Sequence, residues 1–128
     1  MEGLNRLLLQ SGDRPRSAER WQRVLDCSLW HLRVERQLEG EGSALVGFVR
    51  ITSDMALNAN LWDLWADVQD PANAEVLLAL VVGALGRLRR ELPGCSLSLS
   101  APPQALQTLE RQGFVVDPGG IRAMGLEL

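Results

Sequence analysis

Residues 61–92 read LWDLWADVQDPANAEVLLALVVGALGRLRREL and predict one strand followed by one long helix. Hydrophobic and polar residues alternate over Leu61–Val68, which is typical of a half-buried strand in the centre of a sheet. The alternation assigns the side chains to two faces: Trp62, Leu64, Ala66 and Val68 to one, and Asp63 and Asp67 to the other. On this interpretation Trp62 and Trp65 point to opposite faces of the strand.

The helix is expected to begin at Asp70 and Pro71, because an aspartate side chain can accept an orphan amide and proline has none to donate. Apolar residues then recur at three- and four-residue spacing as far as Leu92, and Pro93-Gly94 cannot continue a helix. The loop from Gln69 to Ala74 therefore lies at a helix N-terminus, where many nucleotide-binding and cofactor-binding folds hold a phosphate.

The flanking segments complete an α, α, β, β, β, α, β, α, β, β order. The earlier part predicts two packing helices, around Leu4–Leu8 and from Ser17, and a hairpin of strands over Leu29–Glu35 and Ala44–Ile51. The later part predicts a strand over Ser96–Ser100, a helix from Pro103 to Gly113, and a last hairpin of Phe114–Val116 and Ile121–Leu128. The fold class is α/β in the broad sense (α+β), with a mixed sheet flanked by helices.

Composition restricts the function classes. At 128 residues the chain is expected to form one domain, residues 1–128. A formal charge of −3 gives no general attraction to nucleic acid or to an anionic membrane. The two cysteines, Cys27 and Cys95, are too few and too scattered for a disulfide framework or a metal site. The longest uncharged apolar run, Val76–Gly86, is too short to cross a bilayer, so we expect a cytoplasmic protein.

Several short motifs resemble one known family. They are Val46-Gly47-Phe48-Val49-Arg50, Thr52-Ser53-Asp54, Asn58-Ala59, Leu61-Trp62-Asp63, Gly113-Phe114, Asp117-Pro118 and Gly120-Ile121-Arg122-Ala123-Met124. In this order and spacing they resemble the GNAT superfamily of acetyl-CoA-dependent N-acetyltransferases. Within it, they resemble a cyanobacterial and plastid group that includes plant serotonin and protein-lysine acetyltransferases.

The resemblance implies a twisted mixed sheet in which two central strands splay apart and acetyl-CoA lies in the notch between them. The family's first strand is missing, because the chain begins at what should be the first helix. The resemblance places a CoA groove at Trp65, Ala66, Asp67, Pro71, Ala72, Asn73, Ala74, Glu75 and Val76. It places substrate-side candidates at Asp54, Asn58 and Trp62.

The expected phosphate loop departs from the family pattern, Gln/Arg-x-x-Gly-x-Gly/Ala. The equivalent residues, Pro71 to Val76, contain no glycine, so Cβ atoms stand where backbone amides should approach a pyrophosphate. Pro71 also lacks an amide donor, and Asp70 and Glu75 bring negative charge to a site meant for an anion. The loop is therefore degenerate, and acetyl-CoA, the cofactor implied by the family, is expected to bind weakly or not at all.

Catalytic groups are also missing. The resemblance places the family's usual general acid, a tyrosine, at Leu109, and the chain contains no tyrosine. Asp63 and Asp67 are candidate bases, but solvated or arginine-paired carboxylates are the favoured interpretation. Trp65 replaces a smaller residue expected by the family and is predicted to fill space needed by the pantetheine arm.

Two function classes remain open at this point. One is a non-catalytic GNAT-like module, a pseudoenzyme, that binds a protein partner, a second copy of itself or an unidentified small molecule. The other is an active N-acetyltransferase that acts on a small amine or a protein amino group. A homodimer is expected, because a sheet without its first strand should expose an edge or an apolar flank near the Trp30 hairpin.

Overall fold

The computed structural model describes residues 1–116 and 118–128. Two helices, α1 (Glu2–Gln10) and α2 (Ala18–Cys27), precede three strands, β1 (Trp30–Gln37), β2 (Ser43–Ser53) and β3 (Asn58–Ala66). They are followed by α3 (Asn73–Glu91), β4 (Ser96–Ser98) and α4 (Leu106–Arg111), and single 3-10 turns cover Pro103–Ala105 and Pro118–Gly120. Within the described ranges, no helix is long and apolar enough to cross a membrane.

The strands form one mixed sheet in the order β1-β2-β3-β4. The first three are antiparallel neighbours, and β4 runs parallel to β3. The parallel pairing covers only Asn58–Asn60 with Ser96–Ser98, whereas β3 continues to Ala66. The two strands therefore separate beyond Asn60, which confirms the predicted mixed sheet with splayed strands.

Helices cover both faces of the sheet and create two hydrophobic clusters. The larger cluster, here called the α3-side cluster, packs α3 against the sheet. It includes Leu80, Val81 and Ala84 on the helix and Val49 and Ile51 on β2. The smaller cluster packs α1 and α2 against the other face. At its centre Trp21 is fully buried and meets Phe48 and Trp65 edge to face, with ring centroids 6.2 and 6.1 Å away.

A β-bulge changes the predicted faces of β3. The pairing between β2 and β3 shifts register between Phe48 and Arg50, and Asp63 has a left-handed backbone with φ of 55°. The extra residue inverts the alternation of side chains along β3. Trp62 pairs with Arg50, and Trp65 pairs with Phe48. Both tryptophans therefore lie on the face of the sheet that α1 and α2 cover. The prediction that the two tryptophans point to opposite faces was wrong. The prediction that Trp62 and Leu64 share one face was also wrong.

The boundaries around α3 agree with the prediction to within about two residues. The strand ends at Ala66, two residues earlier than predicted, and Val68 is exposed. The helix begins at Asn73, and its N-cap residue is Ala72 rather than Asp70. Asp70 instead lies two residues before the N-cap and accepts a hydrogen bond from the Ala72 amide at 2.9 Å. The helix ends at Glu91, just before the predicted stop at Pro93-Gly94.

The predicted last hairpin is wrong for the residues that the structure describes. Neither Phe114–Val116 nor residues 121–128 form a strand, and Asp117 in the predicted turn lies outside the described residues. β4 is only three residues long, so it offers little ladder for a further strand to join. Large side chains of this tail remain in solvent, with Ile121 72% and Met124 95% exposed.

Candidate functional site

The segment expected to hold a phosphate is here called the β3–α3 turn, residues 67–76, and includes the first helical turn of α3. Backbone hydrogen bonds join it to the sheet and to itself. The Asp67 amide donates to the Val46 carbonyl on β2 at 2.8 Å, and the Asp70 amide donates to the Asp67 carbonyl at 3.0 Å. The turn is thus continuous with the sheet at the end where β3 and β4 have separated.

Most amides of the β3–α3 turn are already used within the chain. The Ala72 amide donates to the Asp70 carboxylate at 2.9 Å, and the Asn73 amide donates to the Asp70 carbonyl at 3.1 Å. The Val76 amide donates to the Ala72 carbonyl at 3.0 Å, and Pro71 has no amide proton. From Pro71 to Val76, Ala74 and Glu75 alone have amides without a partner in the described part of the chain. This arrangement offers few donors for a pyrophosphate.

The first turn of α3 also lies directly on the sheet. A Cβ atom on Gly47 of β2 would lie 2.5 Å from the Val76 Cγ1 atom and 3.0 Å from a Leu80 methyl. Val76 is 5% exposed, so its side chain belongs to the core and does not face a ligand. The position where the family pattern has glycine or alanine is therefore occupied by a packed valine.

The negative charge of Asp70 is compensated, whereas the sequence led us to expect an unpaired charge at the phosphate site. Arg36 on β1 holds the carboxylate through two hydrogen bonds, from Nε at 2.6 Å and from a terminal nitrogen at 2.9 Å. These bonds, together with the Ala72 amide, lower the pKa of Asp70. The Asp70 side chain is only 4% exposed, so the exposed carboxylate of the turn is that of Glu75.

The carboxylate of Asp67, a candidate base, is bound by side chains of helix α1. Arg6 forms an ion pair with it, Gln10 donates at 2.9 Å, and the Gln69 amide donates at 2.9 Å. Burial of Asp67 acts to raise its pKa, but the hydrogen bonds from Gln10, Gln69 and Arg6 outweigh burial, and the net pKa is lowered. A carboxylate with this environment is a poor proton acceptor.

Asp63, the other candidate base, lies in the β-bulge between two arginines. Arg50 Nε donates at 2.7 Å and Arg16 donates at 3.1 Å, and the Asp63 side chain is 11% exposed. The guanidinium of Arg16 also lies over the Trp21 ring at 4.5 Å. Both candidate bases are therefore arginine-paired, as favoured from the sequence.

The substrate-side candidates are not gathered at the turn. Asp54 and Asn58 lie at the opposite end of β3, about 25 Å away for a strand of this length. The Asp54 carboxylate accepts the amides of Asn58, Ala56 and Leu57, which lowers its pKa to about 2. Trp62 lies between the two ends, 43% exposed, and donates from Nε1 to the Thr52 hydroxyl at 2.7 Å.

Two further predicted site residues lie in the core. Leu109 is 1% exposed and packs in the α3-side cluster, so this position carries no group able to donate a proton. Trp65 is 7% exposed and stacks near Phe48 in the cluster under α1 and α2. Its ring is part of that core. Ala66 is partly buried against the α3-side cluster.

The residues that sequence reasoning missed are the arginine partners of these carboxylates: Arg6, Arg16, Arg36 and Arg50. Arg50 offered a signal, because it interrupts an otherwise apolar strand. The others lie 34 to 61 residues from their partners and form no local pattern. Among the residues that the structure covers, no cluster of histidine, cysteine and carboxylate side chains could hold a metal ion.

Comparison with known proteins gives the geometry a family context. No protein-family model matches the sequence. The chain is 34% identical over 82 residues to the uncharacterized N-acetyltransferase ycf52 of Gracilaria tenuistipitata var. liui, covering 62% of the chain and 43% of that protein. It is 33% identical over 100 residues to the histone acetyltransferase TAP1 of Glycine max, covering 76% of the chain and 42% of that protein.

Solved structures share the fold over nearly the whole chain. A protein of unknown function and probable acetyltransferase from meticillin-resistant Staphylococcus aureus superimposes with a TM-score of 0.78 at 16% identity, covering 99% of this chain and 92% of the other. A GNAT family acetyltransferase from Streptococcus pneumoniae gives 0.67 at 18% identity, covering 99% and 89%. The chain has the GNAT acetyltransferase fold. It matches less than half the length of each curated relative named above.

Proposed function

We propose that this GNAT-fold chain is a binding module in a single domain that has lost tight acetyl-CoA binding and acetyl transfer. The observation that carries the proposal is the internal use of the amides in the β3–α3 turn. A helix N-terminus binds a phosphate through free amides, and here those of Ala72 and Asn73 donate to Asp70.

Packing and charge support the same function. Val76 is buried against Gly47 of the sheet, so its side chain occupies the position where the family pattern has glycine or alanine. Glu75 leaves one exposed carboxylate beside the two remaining amides. An anion would therefore meet a like charge and side chains where it needs backbone donors.

The lack of acid–base groups supports a non-catalytic role. Asp63 and Asp67 are each held by arginine, and Leu109 is buried. Removal of a proton from an ammonium group by either aspartate would break an ion pair in a partly buried site. None of these three positions therefore supplies a ready acid or base for acetyl transfer to an amine.

The second candidate function is an active N-acetyltransferase. The splayed ends of β3 and β4 favour it, because they leave the notch in which the superfamily places its cofactor. The names of the curated relatives, N-acetyltransferase and histone acetyltransferase, also favour it.

Titration calorimetry with acetyl-CoA separates the two candidates. We expect a dissociation constant no tighter than about 1 mM, equivalent to roughly 4 kcal/mol of binding free energy. A micromolar dissociation constant would make the enzyme the better interpretation, and release of free thiol in the presence of a lysine-containing peptide would then be measured.

A variant with the family pattern serves as the matched control. Pro71→Arg, Ala74→Gly and Val76→Ala together restore the arginine and the small residues at the corresponding positions. The proposal expects this variant to bind acetyl-CoA more tightly than the unmodified chain. Equal affinity for the two proteins would show that the turn sequence does not limit binding.

A further inference from the structure

The outward face of α3 is apolar where a surface helix is normally charged. Leu78 is 43% and Val82 is 50% exposed, and Ala79 beside them is also exposed. No charged residue occurs between Glu75 and Arg87. The opposite side of the same helix packs on the sheet through the α3-side cluster. A helix that is apolar on both sides has a face left to cover.

Charges of opposite sign bound this uncovered face. Glu75 lies in the first turn of α3, and Arg89 lies in the last turn with Arg90. On a helical wheel Glu75, Leu78, Val82, Gly86 and Arg89 fall within an arc of roughly 80°. Glu75 and Arg89 form no ion pair with any residue in the ranges 1–116 and 118–128. We call these five residues the α3 outer stripe.

The α3 outer stripe is complementary to itself when it is reversed. Glu75 precedes Val82 by seven residues and Arg89 follows it by seven, whereas Leu78 precedes it by four and Gly86 follows it by four. An antiparallel copy with its two-fold axis at Val82 therefore places Glu75 opposite Arg89 and Leu78 opposite Gly86. The glycine leaves space for the leucine, and a Cβ atom at Gly86 would meet little besides the end of Arg90.

We propose that a second copy of this chain docks on the α3 outer stripe, forming an antiparallel, two-fold symmetric helix pair. Two-fold symmetry repeats each contact, so one face supplies both ion pairs and both leucine–glycine contacts. A parallel arrangement would instead oppose Glu75 to Glu75 and Arg89 to Arg89.

The contact is small, which sets the expected affinity. The helix segment from Glu75 to Arg89 is about 21 Å long, and one such pair buries less than the roughly 800 Å² per partner of a typical stable interface. We therefore expect a weak dimer, because interfaces below the standard size are typical of transient complexes. This interface is separate from the edge of β1, where Trp30 is buried and donates to Glu91 at 2.9 Å.

Sedimentation equilibrium on the full chain from about 5 to 500 μM tests the proposal. We expect a monomer–dimer equilibrium that Val82→Glu abolishes over the whole range, because two carboxylates would meet on the symmetry axis. The matched control is Leu38→Glu, since Leu38 is 48% exposed and follows the edge strand β1. It should leave the equilibrium unchanged. Far-UV circular dichroism and a melting curve establish that both variants fold.

Charge reversal tests the antiparallel orientation. Glu75→Arg and Arg89→Glu should each weaken dimerisation roughly tenfold at low salt, because each converts two attractive contacts into two repulsive ones. The double variant should restore the original constant to within about threefold. A monomer at 500 μM, a dimer that resists Val82→Glu, or a double variant no better than the singles would overturn the proposal.

Discussion

Asp63 combines a strained backbone with two arginine partners, and each feature depends on the other. Its φ of 55° is uncommon for a residue with a side chain, although aspartate tolerates this region better than most. The β-bulge turns the carboxylate toward Arg16 and Arg50, whose side chains are 22% and 16% exposed. Removing the carboxylate leaves two partly buried guanidinium groups facing each other.

Substitution of Asp63 separates charge from shape. We expect Asp63→Ala to lower the free energy of unfolding by about 3 kcal/mol, because it leaves both arginines unpaired. Asp63→Asn retains hydrogen-bond acceptance and tolerance of positive φ, so it should cost about 1–2 kcal/mol. Urea denaturation measures both losses, with Asp26→Ala as an exposed control expected within about 0.5 kcal/mol. Equal losses for alanine and asparagine would mean that the charge of the carboxylate, and not its shape or hydrogen-bond acceptance, supplies the stabilisation.

Gly47 is required by packing, since α3 leaves no space beside it. We expect Gly47→Ala to cost about 1–3 kcal/mol, because the new methyl group overlaps Val76. Adding Val76→Ala should recover part of that loss, with a coupling of about 1 kcal/mol or more in a double-mutant cycle. The helical control Gly83→Ala, where the nearest atom would be 3.4 Å away, should be neutral or stabilising. Additive losses at positions 47 and 76 would contradict the contact.

At the scale of elements, the connection between β2 and β3 depends on one ionised side chain. The Asp54 carboxylate accepts three amides, from Ala56, Leu57 and Asn58, so it fixes the start of β3. These bonds require the charged form, and they lower the pKa of Asp54 to about 2. Since an unfolded aspartate titrates near 3.9, folding is favoured by this group above about pH 4.

The contribution of Asp54 should disappear as the pH falls from about 4 to about 2. A carbon-detected NMR titration of the folded protein is expected to place the Asp54 midpoint near 2, with amide shifts of Ala56 and Leu57 that follow the same curve. Asp54→Asn should be less stable than the unmodified chain at pH 6, and the difference should shrink toward pH 2. A midpoint near 3.9 would show that the amides do not hold the carboxylate in solution.

For the whole molecule, weak cofactor binding should be visible as a small thermal shift. If the dissociation constant of acetyl-CoA is about 1 mM, then 1 mM ligand adds about 0.4 kcal/mol to the stability of the folded state. For a domain of this size the melting temperature should then rise by only about 1–2 °C. A micromolar site would add about 4 kcal/mol and raise it by more than about 10 °C, which would refute weak binding.

The parts of the fold that local chemistry determines could be predicted from the sequence. The order of α1 to β4 and the limits of α3 follow from periodicity, from Pro71 near its start and from Pro93-Gly94 after its end. The bulge could not be predicted, because it is held by Arg16 and Arg50 from other elements. Asp70 likewise looked like an uncompensated charge, because its partner Arg36 lies 34 residues earlier on β1.

The last hairpin was predicted from turn residues and from the alternation of apolar and polar residues. These patterns indicate local preference, but they do not show whether a neighbouring strand is available for pairing. Such a hairpin needs a long neighbour, and β4 pairs over only three residues. Asp63, Asp67, Leu109 and the residues of the CoA groove remain site predictions, and calorimetry on the turn variants will test those of the groove.

Three aspartates within eight residues of one another, Asp63, Asp67 and Asp70, are each tied to arginines from distant segments. Their partners come from α1, from the segment before α2, and from β1 and β2, at separations of up to 61 residues. Closing loops of this length is slow compared with forming a helix, so these ties are made only when those segments have assembled. We therefore expect the connection into α3 to acquire its native shape late in folding, after the first half of the chain is in place.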